Sequence, residues 1–304
     1  MYFEIADVTV SLWLLLTWGA LVGFVFSTVG AAGGIIASVG LISVFGVEDP
    51  NLVKPMAQAL TLVTPLIAVP LYFRQCRIVS SIALLLGMGG VIGAILGSYL
   101  SLNYLSDMSV FKPVFAGLIF LIAAQIAWQL WQGSRLSSGP TKSARAAEFF
   151  ELHIQDGGNV CEVGVRHIKA SPKIFTIEFG EQEFSFNPLL PFLSGMAIAV
   201  LSSALGVGGG FLLVPFMSIV MGLPMFIIAG TAALAVAIHS LTSISNYVRL
   251  GIELDYPLLG MLVIGVVVGS LAGPYLSKYL PEKGLRIILL LVLIMTGLRY
   301  VGLY

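Results

Sequence analysis

Gly30-Ala31-Ala32-Gly33-Gly34 recurs in the second half of the chain as Gly206-Val207-Gly208-Gly209-Gly210. A serine, Ser27 or Ser203, precedes each cluster at the same spacing. Each cluster interrupts an apolar stretch, and the part after the interruption is shorter than the roughly 20 residues that a transmembrane helix needs. Membranes tolerate such broken or re-entrant segments only where the backbone faces protein or a cavity. The two clusters therefore indicate a duplicated membrane unit.

Two further landmarks recur at the same offset, to within one residue. Tyr72-Phe73-Arg74 corresponds to Tyr247-Val248-Arg249, and a ladder of small residues in the first half corresponds to a ladder in the second. The ladders consist of Gly89, Gly93 and Gly97, and of Gly265, Gly269 and Gly273. Such ladders are typical of closely packed helices, either between the two halves or at a homodimer seam. We place the first repeat at residues 8–131 and the second at residues 188–304.

The composition predicts an all-α polytopic membrane protein. Of 304 residues, 58% are hydrophobic and 10% are charged, and the mean hydropathy is +1.01, whereas soluble domains carry about 25% charged residues. The lipid bilayer is therefore an expected partner. The 15 basic and 15 acidic residues balance, so nothing favours a nucleic acid partner.

Each half contains five apolar segments, an odd number, so the second half is expected to insert upside down relative to the first. Inverted repeats of this kind are common in secondary transporters. With the N-terminus outside, Arg74 and Arg77 fall in the cytoplasm while Glu48, Asp49 and Asp107 fall outside. This distribution obeys the positive-inside rule. Arg249 and Arg299 are the exceptions.

Residues 132–187, between the repeats, are polar and are predicted to form a small β-rich soluble insert on the cytoplasmic side. Alternating stretches at 148–154, 160–168, 173–179 and 183–186 are separated by the turn-like sequences 156–159 and 180–182. A structural linker and a functional domain are both open interpretations of this insert. The two cysteines, Cys76 and Cys161, lack paired or metal-type spacing and are predicted to be free thiols.

The glycine clusters and the arginine-containing span ends resemble those of the TauE/SafE family of anion exporters. The match is best over residues 206–215, 229–231 and 247–251. In the first half, Cys76 stands where the family pattern and Gly251 have glycine. The resemblance implies a secondary transporter in the bacterial inner membrane that exports sulfite, or a related organosulfonate, often alongside taurine or other sulfonate degradation. Sulfite is the favoured substrate because it is the toxic product that such metabolism must discard.

The two breaks are the candidate substrate site. Glycine lets backbone N–H groups converge on an oxyanion without a Cβ in the way, and helix N-termini add positive partial charge. The alternative is that the glycines only allow helices to approach closely. The candidate residues are Gly30, Ala31, Ala32, Gly33, Gly34, Gly206, Val207, Gly208, Gly209, Gly210, Ser27, Ser203 and Gln58.

Polar residues inside spans are costly and are therefore functional candidates. Gln58 can donate two hydrogen bonds to an oxyanion without bringing charge. His239 could accept a coupled proton, or it could be a structural histidine with a satisfied hydrogen bond. Thr231 belongs to the same group of candidates. Arg74 and Arg249 would lie at opposite mouths, where they would attract anions or anchor the span ends in the headgroups.

The competing functions are an anion channel and, less favoured, an intramembrane enzyme. The sequence has no Walker-type phosphate loop and none of the common hydrolase or metalloprotease motifs. We therefore predict no enzymatic activity, no cofactor and no metal site.

Overall fold

The computed structural model describes residues 1–29, 33–132, 142, 145–146, 149, 166–170, 174–179, 182–276 and 282–302. Within them, four helices are long and apolar enough to cross a membrane: Pro50–Arg74, Ser80–Tyr104, Met108–Trp128 and Met225–Arg249. The all-α membrane fold predicted from composition is confirmed.

The first repeat begins after a short β-hairpin, β1 (Tyr2–Phe3) and β2 (Val8–Thr9). Its helices are α1 (Leu12–Val29), α2 (Gly33–Val39, extended by a π-helical turn at Gly40–Val44), α3 (Pro50–Arg74), α4 (Ser80–Tyr104) and α5 (Met108–Gln132).

The second repeat has the same five helices in the same order. They are α6 (Leu189–Leu205), α7 (Gly210–Pro215, extended by a π-helical turn at Phe216–Val220), α8 (Met225–Arg249), α9 (Tyr256–Leu276) and α10 (Glu282–Tyr300). Both breaks therefore fall at the glycine clusters, and even the π-helical turns recur. The five segments per half are confirmed.

The α1 and α2 helices form a re-entrant hairpin. The indole of Trp18 on α1 donates a hydrogen bond to the carbonyl of Ile36 on α2 at 3.2 Å, and its ring contacts Phe45 edge to face. Phe26, lower on α1, contacts Gly33 at the start of α2. Because later residues of α1 meet earlier residues of α2, the chain returns to the face from which it entered.

Glycines set the closest contacts between the repeats. On α4, a Cβ at Gly89, Gly93 or Gly97 would collide with main-chain carbonyls of α6. On α9, Gly265 and Gly269 meet the main chain of α1 in the same way. The ladders therefore pack the two halves together, as the packing interpretation predicted.

These contacts also fix the helix directions. Gly89 meets Phe192 and Gly97 meets Val200, so α4 and α6 run parallel. Within the first repeat, α4 runs opposite to α3 and α1, because α2 returns the chain before α3 begins. The α6 helix therefore runs opposite to α1, its counterpart in the first repeat. The repeats are inverted, as predicted, and an approximate two-fold axis in the membrane plane relates them.

We call the face where α3 ends the inner face and the opposite face the outer face. The charge pattern predicts that the inner face is cytoplasmic. Cys76 lies on the inner face and has a φ of 52°, and its counterpart Gly251, beyond the outer end of α8, has a φ of 91°. The connection thus keeps a left-handed residue in both repeats, although only one has the glycine that this conformation favours.

The prediction that the cysteines are free thiols is wrong for Cys76, which is disulfide-bonded. Spacing along a sequence carries no information about which cysteines meet in space, and so it could not reveal this bond. Disulfides are rare in the reducing cytoplasm, and this one lies at the face that the charge pattern assigns to the cytoplasm. Cys161 lies outside the described residues.

Inside the predicted insert, β3 (Arg166–Ala170), β4 (Phe175–Phe179) and β5 (Gln182–Phe186) form an antiparallel sheet in the order β3-β4-β5. The strands predicted at 173–179 and 183–186 are confirmed. Of the predicted strand at 148–154, Phe149 is helical, and the rest lies outside the described residues. The insert thus contains the β structure expected from its alternating sequence, although helical residues precede the sheet.

Replacing Gly93 by valine should destabilise the protein, because the new side chain would meet the carbonyl of Met196 and the Cβ of Ala199. Overpacking typically costs 1–3 kcal/mol, and a main-chain collision belongs at the upper end of that range. Thermal unfolding in detergent measures the effect. Gly117→Val on α5 is the matched control, since nothing lies within 4 Å of that position. Equal melting temperatures for the two variants would contradict the close-packing account.

Candidate functional site

A cavity of about 570 Å³ lies between α1, α3, α7, α8 and α9. It extends from Gln75 and Met225, at the inner ends of α3 and α8, to Ser27 and Thr28 beside the first break. Gly210, at the second break, also lines it. The cavity therefore connects the inner face with both glycine clusters.

Within the described part of the chain, Arg77 is the one charged residue that lines the cavity. Its Nε donates a hydrogen bond to the carbonyl of Phe226 at 3.1 Å. Its guanidinium lies 4.3 Å from the ring centroid of Phe226 and 4.8 Å from that of Tyr72, both within cation–π range. Nη1 donates to Gln75 Oε1 at 3.3 Å. Backbone, amide and aromatic groups thus hold a cation at the mouth.

No carboxylate neutralises Arg77 among the described residues. Partial burial lowers the pKa of the Arg77 guanidinium from its ordinary value, but an arginine remains charged at neutral pH. A desolvated cation without a counter-ion attracts anions into the cavity.

The deep end of the cavity is lined by neutral hydroxyl groups. Thr64 and Ser270 hydrogen-bond to each other at 2.8 Å. Ser27 and Thr28 donate to the carbonyl of Phe24 at 3.0 and 2.8 Å. Hydroxyl groups can rotate to donate to a ligand, so this end offers hydrogen bonds to an oxyanion without binding it as tightly as a buried cation would.

The two breaks adjoin in space. A Cβ at Gly34 would collide with the carbonyl of Val207, and Ser38 on α2 donates to the carbonyl of Gly206 at 3.4 Å. The inverted repeats thus bring the two glycine clusters together, as expected. Of the candidate residues, Gly30, Ala31 and Ala32 lie outside the described residues.

The second break depends on glycine for its backbone. Gly206, Gly208 and Gly209 have φ values of 75°, 78° and 64°, a left-handed conformation that other residues adopt at a cost. A Cβ at Gly208 would also lie 2.7 Å from Thr61 Oγ1. Replacing these glycines would therefore disturb the fold whether or not they bind an anion, so side-chain substitutions are the better test of the site.

Three buried polar side chains gather beside Gly209. A Cβ at Gly209 would lie 2.8 Å from His239 Nε2 and 3.2 Å from Ser202 Oγ. Gln58 Nε2 donates to the carbonyl of Ser202 at 2.9 Å. His239 Nε2, Ser202 Oγ and Gln58 Oε1 have no hydrogen-bond partner among the described residues.

Other candidate residues have structural contacts. Ser203 donates to the carbonyl of Ala94 at 2.8 Å and bonds Ser243 at 2.6 Å, which ties α6 to α4 and α8. Thr231 accepts a hydrogen bond from the backbone N–H of Val79 at 3.0 Å and so fixes the α3–α4 connection.

Arg74 and Arg249 are exposed at their helix ends and do not line the cavity. Sequence reasoning placed Arg77 on the inner face but missed its role at the mouth. It also missed Thr28, Ser202 and Ser270. The sequence did show a second arginine, Arg77, three residues after the candidate Arg74. Only the structure of the turn after α3 shows which of the two lines the cavity.

On the outer side of the cavity, α3 packs closely against the second break. Lys54 is fully buried, and its Nζ donates to the carbonyl of Leu105 at 2.6 Å, across the α4–α5 connection. The Cα of Lys54 would lie 2.6 Å from a Cβ at Gly206. Neither Lys54 nor Gly206 lines the cavity, so this packed region lies beyond its deep end.

The insert borders the inner mouth. The ring of Phe179 on β4 stacks on Phe226 with centroids 5.8 Å apart, and Phe226 is the residue whose carbonyl holds Arg77. Phe179 and Ile177 belong to one apolar cluster with Val79 and Ile227 of the membrane repeats. The sheet is thus packed against the end of the protein where the cavity opens.

The family model described as Sulfite exporter TauE/SafE matches residues 15–300, which include the predicted insert and nearly all of the two predicted repeats. Comparisons with curated proteins and with solved structures gave no match. Helical spans, inverted repeats and the family match agree with one another. The chain belongs to the TauE/SafE sulfite exporter family, a family of membrane transporters.

Proposed function

We propose that the protein is a secondary transporter that exports sulfite, or a related small sulfur oxyanion or organosulfonate, from the cytoplasm across the bacterial inner membrane. Family membership supports the substrate class. The observation that carries the proposal is the cavity, which runs from the inner face to the two breaks and ends there. A compartment open toward one face is what alternating access requires.

Arg77 and the hydroxyl groups have different roles in the uptake of an anion. The Arg77 cation raises the local concentration of anions at the mouth. Thr64, Ser270 and Ser27 then replace part of the hydration shell deeper in the cavity. Because these deeper groups are neutral, binding is weak enough for release, which transport demands.

The two alternative functions, an anion channel and an intramembrane enzyme, require features that differ from those of a carrier. An anion channel needs a continuous pore in its conducting state, whereas Lys54 and Gly206 close the outer side here. An intramembrane enzyme would need catalytic groups at the end of the cavity, where the lining is hydroxyl and apolar. A carrier therefore fits this geometry better than either.

Sulfite flux from proteoliposomes containing the purified protein tests the proposal. We expect saturable flux that responds to an imposed pH gradient or membrane potential. Sulfate and chloride serve as competing anions that report selectivity. Absence of sulfite flux from well-folded protein, with or without a gradient, would contradict the proposed function.

Replacing Arg77 by glutamine should raise KM for sulfite more than it lowers the maximal rate, because Arg77 acts on capture at the mouth. The KM of wild type should also rise with ionic strength, and this dependence should weaken in the variant. Arg74→Gln, an exposed arginine on the same face, is the matched control. Identical KM values and identical salt dependence in Arg77→Gln and Arg74→Gln would contradict a role of Arg77 in anion uptake.

Replacing Thr64 by valine should weaken sulfite binding, because it removes a hydroxyl group from the deep end while keeping the side-chain shape. A hydrogen bond to a charged ligand is worth about 1.5–3 kcal/mol, which corresponds to a roughly 10- to 150-fold change in affinity. Calorimetric titration measures the change.

Thr242→Val is the matched control for this variant. Thr242 also uses its hydroxyl in one hydrogen bond, to the carbonyl of Ile238 in its own helix, and does not line the cavity. Unchanged affinity in Thr64→Val would move the binding site away from the deep end of the cavity.

A further inference from the structure

The outer half of the protein contains buried polar atoms that have no partner. Gln58 Oε1, Ser202 Oγ, His239 Nε2 and Ser240 Oγ are four of the five such side-chain atoms among the described residues. The four residues are at most 3% exposed. Each unsatisfied buried polar group costs about 1–3 kcal/mol. A cluster of them is therefore a sign of a function that this conformation does not display.

The internal repeat explains where these residues lie. Extending the equivalence of Tyr72 with Tyr247 along the two helices pairs Thr64 with His239 and Pro65 with Ser240. Both Thr64 and Pro65 line the inner cavity.

The same relation holds for the other two residues. Extending the equivalence of Ser27 with Ser203 pairs Phe26 with Ser202, and the α3–α8 equivalence pairs Gln58 with Ala233. Phe26 and Ala233 also line the inner cavity. All four residues that carry an unpartnered polar atom are thus counterparts of cavity-lining residues, and the fifth such residue, Ser81, lies outside this group.

The four residues converge on the second break. Beside Gly209 lie His239 Nε2 and Ser202 Oγ, and Gln58 contacts the same turn through the carbonyl of Ser202. Ser240 follows His239 directly on α8. The inner cavity meets the first break at Phe26 and Ser27 in the corresponding way.

Lys54 is a cation next to these four residues, as Arg77 is a cation at the mouth of the inner cavity. Lys54 lies one helical turn before Gln58 on α3, is fully buried, and donates to Leu105 and Asn51. Its counterpart in the second repeat, Ala229, lines the inner cavity. An opening on the outer side that mirrored the inner cavity would therefore expose Lys54.

We propose that Lys54, Gln58, Ser202, His239 and Ser240 form an outer vestibule, which is closed here and is the counterpart of the inner cavity. When the two repeats exchange conformations, this vestibule opens to the outer face and binds the oxyanion before release. The ammonium, amide, imidazole and hydroxyl groups supply the donors that an oxyanion needs. The inference rests on the proposed transport function.

Thiol accessibility tests the outer vestibule. Ser240→Cys is made in full-length protein with Cys76 and Cys161 replaced by serine, after sulfite flux has been verified in that background. A membrane-impermeant anionic methanethiosulfonate is applied to one side of sealed vesicles. Glu4→Cys, exposed at the N-terminus, identifies the outer side, and Ala116→Cys, fully buried on α5, is the negative control.

We expect loss of the free thiol of Ser240→Cys from the outer side, and loss of the thiol of Thr64→Cys from the inner side. If vesicles that transport sulfite show Ser240→Cys to be as unreactive as Ala116→Cys, the proposed vestibule is contradicted, whereas the proposed transport function is not. If the wild type carries no sulfite, the proposed function fails, and outer-side labelling of Ser240→Cys still decides whether the vestibule opens.

Discussion

Close approach of helices from opposite repeats, α4 against α6 and α1 against α9, is the constraint on which the rest of the structure depends. Association in lipid gains little from the hydrophobic effect, so it relies on van der Waals contact between backbones. Glycines at Gly89, Gly93, Gly265 and Gly269 permit that contact, and larger side chains there would strike the main chain. Because α1 and α6 each begin a re-entrant hairpin, these seams also decide where both breaks lie.

The two re-entrant hairpins meet because the repeats are inverted. Polar side chains lie on both sides of this meeting point. Toward the inner face they line a cavity with Arg77 at the mouth and hydroxyl groups at the end. Toward the outer face the equivalent positions are packed, with Lys54 bonded to Leu105. The two repeats thus have the same helix order, but positions that line a cavity on the inner side have packed counterparts on the outer side. Under the proposed transport function, alternating access would exchange these two arrangements between the repeats.

The sequence was sufficient to predict the duplicated fold, because Gly30–Gly34, Gly206–Gly210 and the span ends recur at a constant offset. Hydrophobic length gave the spans, and an odd segment number gave the inversion. The site was less predictable, because helix rotation decides whether Arg74 or Arg77 faces the cavity, and sequence spacing does not report that rotation. The disulfide at Cys76 was missed for the same reason, since it depends on a contact between distant parts of the chain.

Distances between spin labels at the two mouths test the exchange of conformations most directly. Gln75 and Met225 lie at the inner mouth. Leu250, the counterpart of Gln75, and Asn51, next to the counterpart of Met225, lie at the outer ends of α8 and α3. Double electron–electron resonance on each labelled pair, in lipid and with sulfite on one side, should show two populations of the label-to-label distance. The account predicts that the inner distance shortens as the outer distance lengthens when sulfite is supplied from the inner side. Sulfite transport with both distances unchanged would contradict it.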